Sequence, residues 1–293
     1  MRNIFKGISG IKVLAHESLK KHTSFRIGGK AKYFVKIYHH KALLEVMRVI
    51  KKNSLKYLII GAGTNILFRD QGFDGAVLKL MGEFRKVKNC KNRFFCGAGV
   101  LIRDFIINAT KSGYGGVEFL AGIPGSIGGA VKGNAGAFGH SISEVVKRVM
   151  IIDSKFVNRI IPRNKLIFEY RSCNIPEKAV ITAVEINLKK SPKKMIERKI
   201  KQYLRIRWEK QPKGFSAGSF FKNPLPWSAG QLIEECGLKG TRIGGATVSR
   251  KHANFIINSD NAKAQDVIKL MNVIKKRVKK IKGIDLEPEV RII

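Results

Sequence analysis

Ten of the chain's 29 glycines fall between Gly113 and Gly139, interspersed with apolar residues. The densest stretch reads Gly122-Ile-Pro-Gly-Ser-Ile-Gly-Gly-Ala-Val-Lys-Gly-Asn-Ala-Gly136. Flexible linkers are polar, whereas Ile123, Ile127, Ala130 and Val131 interrupt the glycines here. The mixture predicts ordered, buried backbone packed close against another group, at a distance a Cβ would not allow. A chain of 293 residues that is 44% hydrophobic has ample core to hold such a segment, and its length suggests two domains.

Hydrophobic periodicity around this block alternates between strand and helix. Strands are predicted at 33–37, 57–60, 76–80, 85–88, 94–96, 145–153, 179–188, 219–221, 254–258 and 289–293. Helices are predicted at 39–52, 101–111, 191–211, 229–236 and 262–282. The apolar face of 39–52 is Leu43, Met47 and Ile50; that of 191–211 is Ile196, Ile200, Tyr203 and Leu204. Val267, Leu270, Ile274, Val278 and Ile281 line one face of 262–282. The irregular mixture reads as α+β rather than a doubly wound sheet.

The formal net charge of +36 raises nucleic acid as a partner. Lysines recur along the whole chain and no zinc-finger, RNP or KH-type motif accompanies them, so no specific nucleic-acid binding is expected. No apolar run of ~18 residues exists, so no membrane span is expected. Met1–Gly10 lacks an apolar core long enough for a signal peptide. Cys90, Cys96, Cys173 and Cys236 show no CxxC spacing, which argues against a zinc site or a disulfide framework and suits a reducing cytoplasm.

Several motifs are decoys. Gly61-Ala-Gly63 and Gly97-Ala-Gly99 are not completed as GxGxxG, because Ile66 and Ile102 hold the third positions, and no P-loop pattern occurs. Gly61-Ala-Gly-Thr-Asn65 reads as a tight turn after a strand or as a phosphate cradle. Gly214-Phe-Ser216-Ala-Gly218 matches the GxSxG elbow formally, yet Gln211-Pro-Lys precedes it and strand-like Ser-Phe-Phe follows it. Ser18-Leu-Lys-Lys21 fits SxxK without its partner motifs. The segment from Ser216 to Pro224 sets small residues and hydroxyls beside Lys222-Asn223, suited to anionic oxygen or to an ordinary strand entry. Arg171, between Tyr170 and Ser172, reads as a carboxylate fork or as half of a surface ion pair.

In order along the chain, these pieces resemble the UDP-N-acetylenolpyruvoylglucosamine reductase (MurB) family. The blocks are His22-Thr-Ser-Phe-Arg-Ile-Gly-Gly29, Gly61-Ala-Gly-Thr-Asn65, Gly116 to Ala130 with Asn134-Ala-Gly136, Tyr170-Arg-Ser172, Gly218-Ser-Phe-Phe-Lys-Asn-Pro224, His252-Ala-Asn-Phe-Ile-Ile-Asn258 and Leu286-Glu-Pro-Glu-Val-Arg291. Arg207-Trp-Glu-Lys210-Gln-Pro212 matches as well. Each block is weak alone, and the ordered set is specific.

The resemblance implies an α+β fold of the vanillyl-alcohol-oxidase (PCMH) type, two lobes with the flavin between them, plus a C-terminal α+β substrate domain. The implied boundaries are an N-terminal segment 1–23, an FAD-binding domain 24–192 with lobes of about 24–82 and 83–192, and a substrate domain 199–293. It implies non-covalent FAD, NADPH as co-substrate, and reduction of the enolpyruvyl group of UDP-N-acetylglucosamine enolpyruvate to UDP-N-acetylmuramate in peptidoglycan synthesis. Ser219 is then the proton donor, Arg171 polarises the substrate carboxylate, and Glu289 is its partner across the site. FAD contacts are expected from Gly61, Gly63, Thr64, Asn65, Ile123, Pro124, Gly125, Ser126, Gly128, Gly129, Asn134, Ala135 and Gly136. Substrate contacts are expected from Tyr170, Arg207, Lys210, Lys222 and Asn223. No metal is expected, and a cytoplasmic monomer is. Between Ser172 and Lys210 the chain lacks a longer insertion that some family members carry, which makes it the shorter subtype.

Overall fold

The structure, a computed structural model, describes residues 4–293. Residues 1–3, part of the N-terminal segment expected at 1–23, lie outside the described residues. The chain forms two compact units. One comprises the described residues up to Leu14, with 33–62 and 75–207. The other gathers 15–32, 63–74 and 208–293. Segments 24–32 and 63–74, expected with the flavin domain, therefore pack with the C-terminal residues. The reason is apolar: Phe25, Ile27 and Leu67 are fully buried in one core with Phe220, Phe221, Leu232 and Leu270.

Most of the expected elements form. Ile11–Ser18, Lys30–Ile37, Phe73–Leu80 and Tyr57–Ile60 make a four-stranded sheet in that order, the last two strands parallel. Helix α1, His40–Lys52, buries Ala42, Leu43, Val46, Met47 and Ile50, a one-face spacing, and His39 Nδ1 accepts the Ala42 N–H to start it. The first unit also carries a five-stranded antiparallel sheet in the order Asn158–Pro162, Val146–Ile152, Val180–Asn187, Arg93–Gly97, Val87–Cys90. Helix α2, Ile102–Lys111, contributes Ile102, Phe105, Ile106 and Ala109 to the core of that sheet.

The glycine block holds a helix that periodicity does not signal, α3, Ile127–Lys132. Glycine is a poor helix former, but Ser126 caps the helix through Gly129 N–H, and Ile127, Gly128, Ala130 and Val131 are buried. Helix α4, Lys193–Lys210, buries Ile196 and sets Ile200, Tyr203 and Leu204 partly against the same core.

In the second unit, α5 spans Ala229–Glu235 and α6 Ala264–Lys282. A three-stranded antiparallel sheet runs Arg242–Ile243, Ala246–Val248, Ile256–Asn258, and Ile66–Leu67 pairs parallel with Arg291–Ile292. Helix α6 follows the expected stripe as far as Val278. Ile281, expected on that face, is exposed, because it lies beyond the edge of the core and just before the left-handed Gly283 that ends the helix. Residues 85–88 are not one strand: Gly82–Arg85 is a 3-10 turn, and the strand begins at Val87. Residues 219–221 make isolated bridges on two sides rather than a regular strand.

Candidate functional site

In the first unit the site candidates gather around α3. Ile127 and Gly128 donate their amides to Val100 and Ala98 carbonyls at 2.8 and 2.9 Å, so these two N–H groups are already bonded within the protein. Gly128 itself is required by packing, since a Cβ there falls 2.8 Å from Ala98 Cβ. Likewise a Cβ on Gly61 would fall 2.3 Å from Ser126 Oγ, and on Gly136 2.6 Å from the His140 carbonyl oxygen. Part of the glycine signal therefore reports protein packed on protein. Gly129 differs: it is exposed, and a Cβ would meet only Ser126 Oγ, at 3.4 Å. Gly125 accepts the Ile102 N–H, and Ile123 is partly buried on the α2–α3 core. Pro124 is exposed, and Ala135 bonds back to Ala130.

Asn134 takes a left-handed φ of +40°. Its Nδ2 donates to the Glu169 carbonyl at 2.9 Å, while its Oδ1 is buried with no hydrogen-bond partner. Arg171, with φ +60°, donates through Nη1 to the Gly136 carbonyl at 3.3 Å and holds its guanidinium 5.4 Å from the centre of the Tyr170 ring. Arg207 donates Nε to the Ala121 carbonyl at 2.8 Å and lies over Phe138, whose ring stacks on Tyr203 at 4.4 Å. Burial lowers the pKa of Arg207, and the nearby positive charge of Arg171 lowers it further. Arg207 Nη2 is buried without a partner. Two coupled guanidinium groups and an orphaned buried donor are what an anion would satisfy. Lys132 Nζ donates to the Ile175 carbonyl oxygen. Lys210 is exposed at the end of α4.

In the second unit, backbone pairing brings together residues that are far apart in the sequence. Glu289 donates its amide to the Phe220 carbonyl at 2.9 Å, and Lys222 donates its amide to the Glu287 carbonyl at 2.9 Å. Ser219, half-buried, bridges to Phe255 on the opposite side. Asn65 Nδ2 donates to the Glu289 carbonyl at 3.2 Å, and Arg291 N–H donates to the Asn65 carbonyl. Asn65, Ser219, Lys222 and Glu289 thus belong to one cluster. Lys222 Nζ pairs with the Glu287 carboxylate at 2.5 Å. The side-chain oxygen of Asn223 accepts the Ala229 N–H at 3.0 Å, which starts α5. Thr64 is half-buried, next to Gly63, whose positive φ is matched by a clash: a Cβ there would lie 2.0 Å from the His22 carbonyl oxygen.

Three residues from the matched blocks hold this cluster without having been singled out individually. Ser24 donates its amide to the Gly63 carbonyl at 3.0 Å and its hydroxyl to the Ser216 carbonyl at 2.7 Å. Asn258 Nδ2 donates to the Phe25 carbonyl at 3.0 Å. Asn254 bonds to Phe221 twice. An asparagine inside a motif is the available signal, but its partner cannot be read from sequence. Ser216 is no nucleophile elbow: its hydroxyl accepts the Gly218 N–H within a loop, and no helix follows. His252 Nδ1 accepts the Asn254 N–H at 3.2 Å. Among the described residues no group of three or more His, Cys, Asp or Glu is placed to hold a metal ion, and no helix is long and apolar enough to cross a membrane. Burial pushes the Cys96 thiol up to about 12.

Comparison with known proteins defines the class first. An "FAD binding domain" family matches residues 31–155, which makes this an α+β flavin-binding protein. The "UDP-N-acetylenolpyruvoylglucosamine reductase, C-terminal domain" family matches 210–293. The reductase of that name from Syntrophus aciditrophicus is 40% identical over 286 residues, covering 96% of this chain and 92% of the relative. The one from Lachnoclostridium phytofermentans is 40% identical, covering 98% and 94%. The crystal structure of the Thermus caldophilus reductase superposes with a TM-score of 0.83 at 34% identity, covering 96% of this chain and 98% of that one. The chain belongs to the UDP-N-acetylenolpyruvoylglucosamine reductase family. The open face at Gly129 and the orphaned Asn134 Oδ1 fit a large polar cofactor such as FAD.

Proposed function

We propose that the chain is a flavin-dependent reductase that converts UDP-N-acetylglucosamine enolpyruvate to UDP-N-acetylmuramate at the expense of NADPH, in peptidoglycan precursor synthesis. The observation that carries this reading is 40% identity over 96% of the chain to a reductase of this name. Gly61, Gly63, Thr64, Asn65, Ile123 to Ser126, Gly128, Gly129 and Asn134 to Gly136 would hold the FAD. FAD held there would supply the hydride-transfer chemistry between NADPH and the enolpyruvyl carbon.

The chain's own residues then manage charge and proton. Addition of hydride to an enol ether conjugated with a carboxylate builds negative charge on that carboxylate. Arg171 stabilises this charge more strongly than it does the ground state, which lowers the barrier. Glu289 is the partner group in this activation. Ser219 gives its hydroxyl proton to the second carbon of the double bond. Arg207, with its orphaned Nη2, takes an anionic oxygen of the substrate, and Tyr170, Lys210, Lys222 and Asn223 orient the UDP-sugar. The enzyme works as a cytoplasmic monomer, without membrane or nucleic-acid partners.

The test is FAD content measured together with half-reactions. Purified protein is expected to carry FAD, to bleach with NADPH and to regain its colour on addition of the enolpyruvyl substrate. A chain that binds no FAD, or whose reduced flavin ignores that substrate, would sink the reading.

A further inference from the structure

We infer that Asn254 is a positioning residue for the oxidative half-reaction: its side-chain amide substitutes for a missing stretch of β-strand and fixes the segment that carries Ser219. This rests on the reading of Ser219 as the proton donor. The Asn254 carboxamide makes both hydrogen bonds that a neighbouring strand would make to one residue. Its Oδ1 accepts the Phe221 N–H at 2.8 Å, and its Nδ2 donates to the Phe221 carbonyl at 2.8 Å. The Asn254 backbone carbonyl also accepts the Phe220 N–H at 2.8 Å.

The reason a side chain is needed is visible in the local path of the chain. Phe255 bridges to Ser219 as the next strand would. Before Phe255 the backbone turns away. Phe255 N–H bonds to the His252 carbonyl, the Ser249 hydroxyl accepts the Lys251 and His252 amides, and His252 Nδ1 accepts the Asn254 amide. Among the described residues no backbone continues opposite Phe221 on that side, so the Asn254 side chain takes its place. On the other side, residues 287–289 complete the pairing through Lys222 N–H to the Glu287 carbonyl and Glu289 N–H to the Phe220 carbonyl. Phe221 is 1% exposed and Asn254 4% exposed, so water does not compensate for a lost bond. The segment bearing Ser219 is therefore registered from one side by Asn254 and from the other by the segment bearing Glu289. Displacement by about an ångström is enough to lower a chemical step by roughly a hundredfold.

The experiment compares Asn254→Asp and Asn254→Ala with Ser219→Ala and with the double variants, in FAD-loaded enzyme. Asp keeps an acceptor for the Phe221 N–H but loses the donor to its carbonyl. Flavin reduction by NADPH and FAD content are expected to stay within about twofold of the parent, while reoxidation by the enolpyruvyl substrate slows at least tenfold. Because Asn254 acts through Ser219, adding Asn254→Asp to Ser219→Ala is expected to slow reoxidation no further, as coupled sites behave. Multiplicative losses in the double variant, equal losses in both half-reactions, or full reoxidation in both Asn254 variants each overturn the inference. If Ser219→Ala itself reoxidises normally, the proton-donor reading fails first. If Asn254→Ala does not fold, the Asp series decides alone.

Discussion

A Cβ placed on Gly122 falls 2.8 Å from Arg207 Cδ, and the Arg207 side chain runs along this gap to bond the Ala121 carbonyl. Gly122 also has φ +79°, a region in which side chains are strained. The glycine thus makes the seat of an arginine whose Nη2 lacks a protein partner. Gly122→Ala is expected to push Arg207 out of its seat. Since Arg207 is assigned to substrate and not to flavin, KM for the enolpyruvyl substrate is expected to rise by roughly tenfold, about 1.4 kcal/mol, with FAD content and NADPH-driven flavin reduction retained. Steady-state kinetics alongside flavin absorbance checks this; loss of FAD instead would assign Gly122 to cofactor binding.

Ser219→Ala separates the two halves of the reaction. As the proposed proton donor, the hydroxyl would serve only the step in which the substrate carbon gains a proton, so reduction by NADPH is expected to be unchanged. Reoxidation by substrate is expected to slow by about 10² to 10⁴, the range for general acid catalysis. Stopped-flow absorbance of the flavin measures each half directly. Equal slowing of both halves would replace the proton-donor role with a packing role.

Asp70 links the 63–74 segment to α6 within the second unit. Its two carboxylate oxygens accept the Ala264 and Gln265 amides at 2.9 and 3.0 Å, so a residue far away in sequence caps the helix. Asp70→Ala is expected to lower unfolding stability by about 1 kcal/mol, as removal of an N-cap does, and Asp70→Asn by less. Urea denaturation followed by far-UV circular dichroism provides the measurement, and no change in midpoint for Asp70→Ala would mean that the cap is not formed.

What could be read in the sequence divides along a physical line. Periodicity located α1, α2, α4 and α6 because their apolar faces repeat, and the order of short motifs located Arg171, Ser219 and Glu289 as candidates. Helix α3 escaped because its signal is Gly128 against Ala98, a contact between residues with no hydrophobic period. The second unit escaped as a unit because apolar Phe25 and Leu67 announce burial without naming the partner, and here the partners lie beyond residue 208. Asn254 and Phe221 are 33 residues apart, and a polar side chain that completes a sheet looks in sequence like any other asparagine. Gly136 shows the converse: a glycine attributable to a cofactor is also required by the His140 carbonyl oxygen, and sequence does not separate the two demands.

His252 gives the cluster a pH dependence whose sign follows from burial. Desolvation by burial is the leading cause that lowers its pKa below the usual 6.5, and the Lys239 charge acts in the same direction. The unfolded chain therefore takes up this proton more readily than the folded one. The stability that His252 contributes is fully present above about pH 6.5 and is lost as pH falls from there toward the lower folded value. Protonation also removes the Nδ1 lone pair that accepts the Asn254 N–H, so the acid form disturbs the residue that registers Phe221. His252→Asn keeps an acceptor near Nδ1 and does not titrate. Its Tm is expected to fall less than that of the parent between pH 7.5 and pH 5.5 in matched thermal melts, where the difference between the two curves isolates this histidine from the carboxylates. Parallel curves would mean that the ring stays neutral or is solvated in both states.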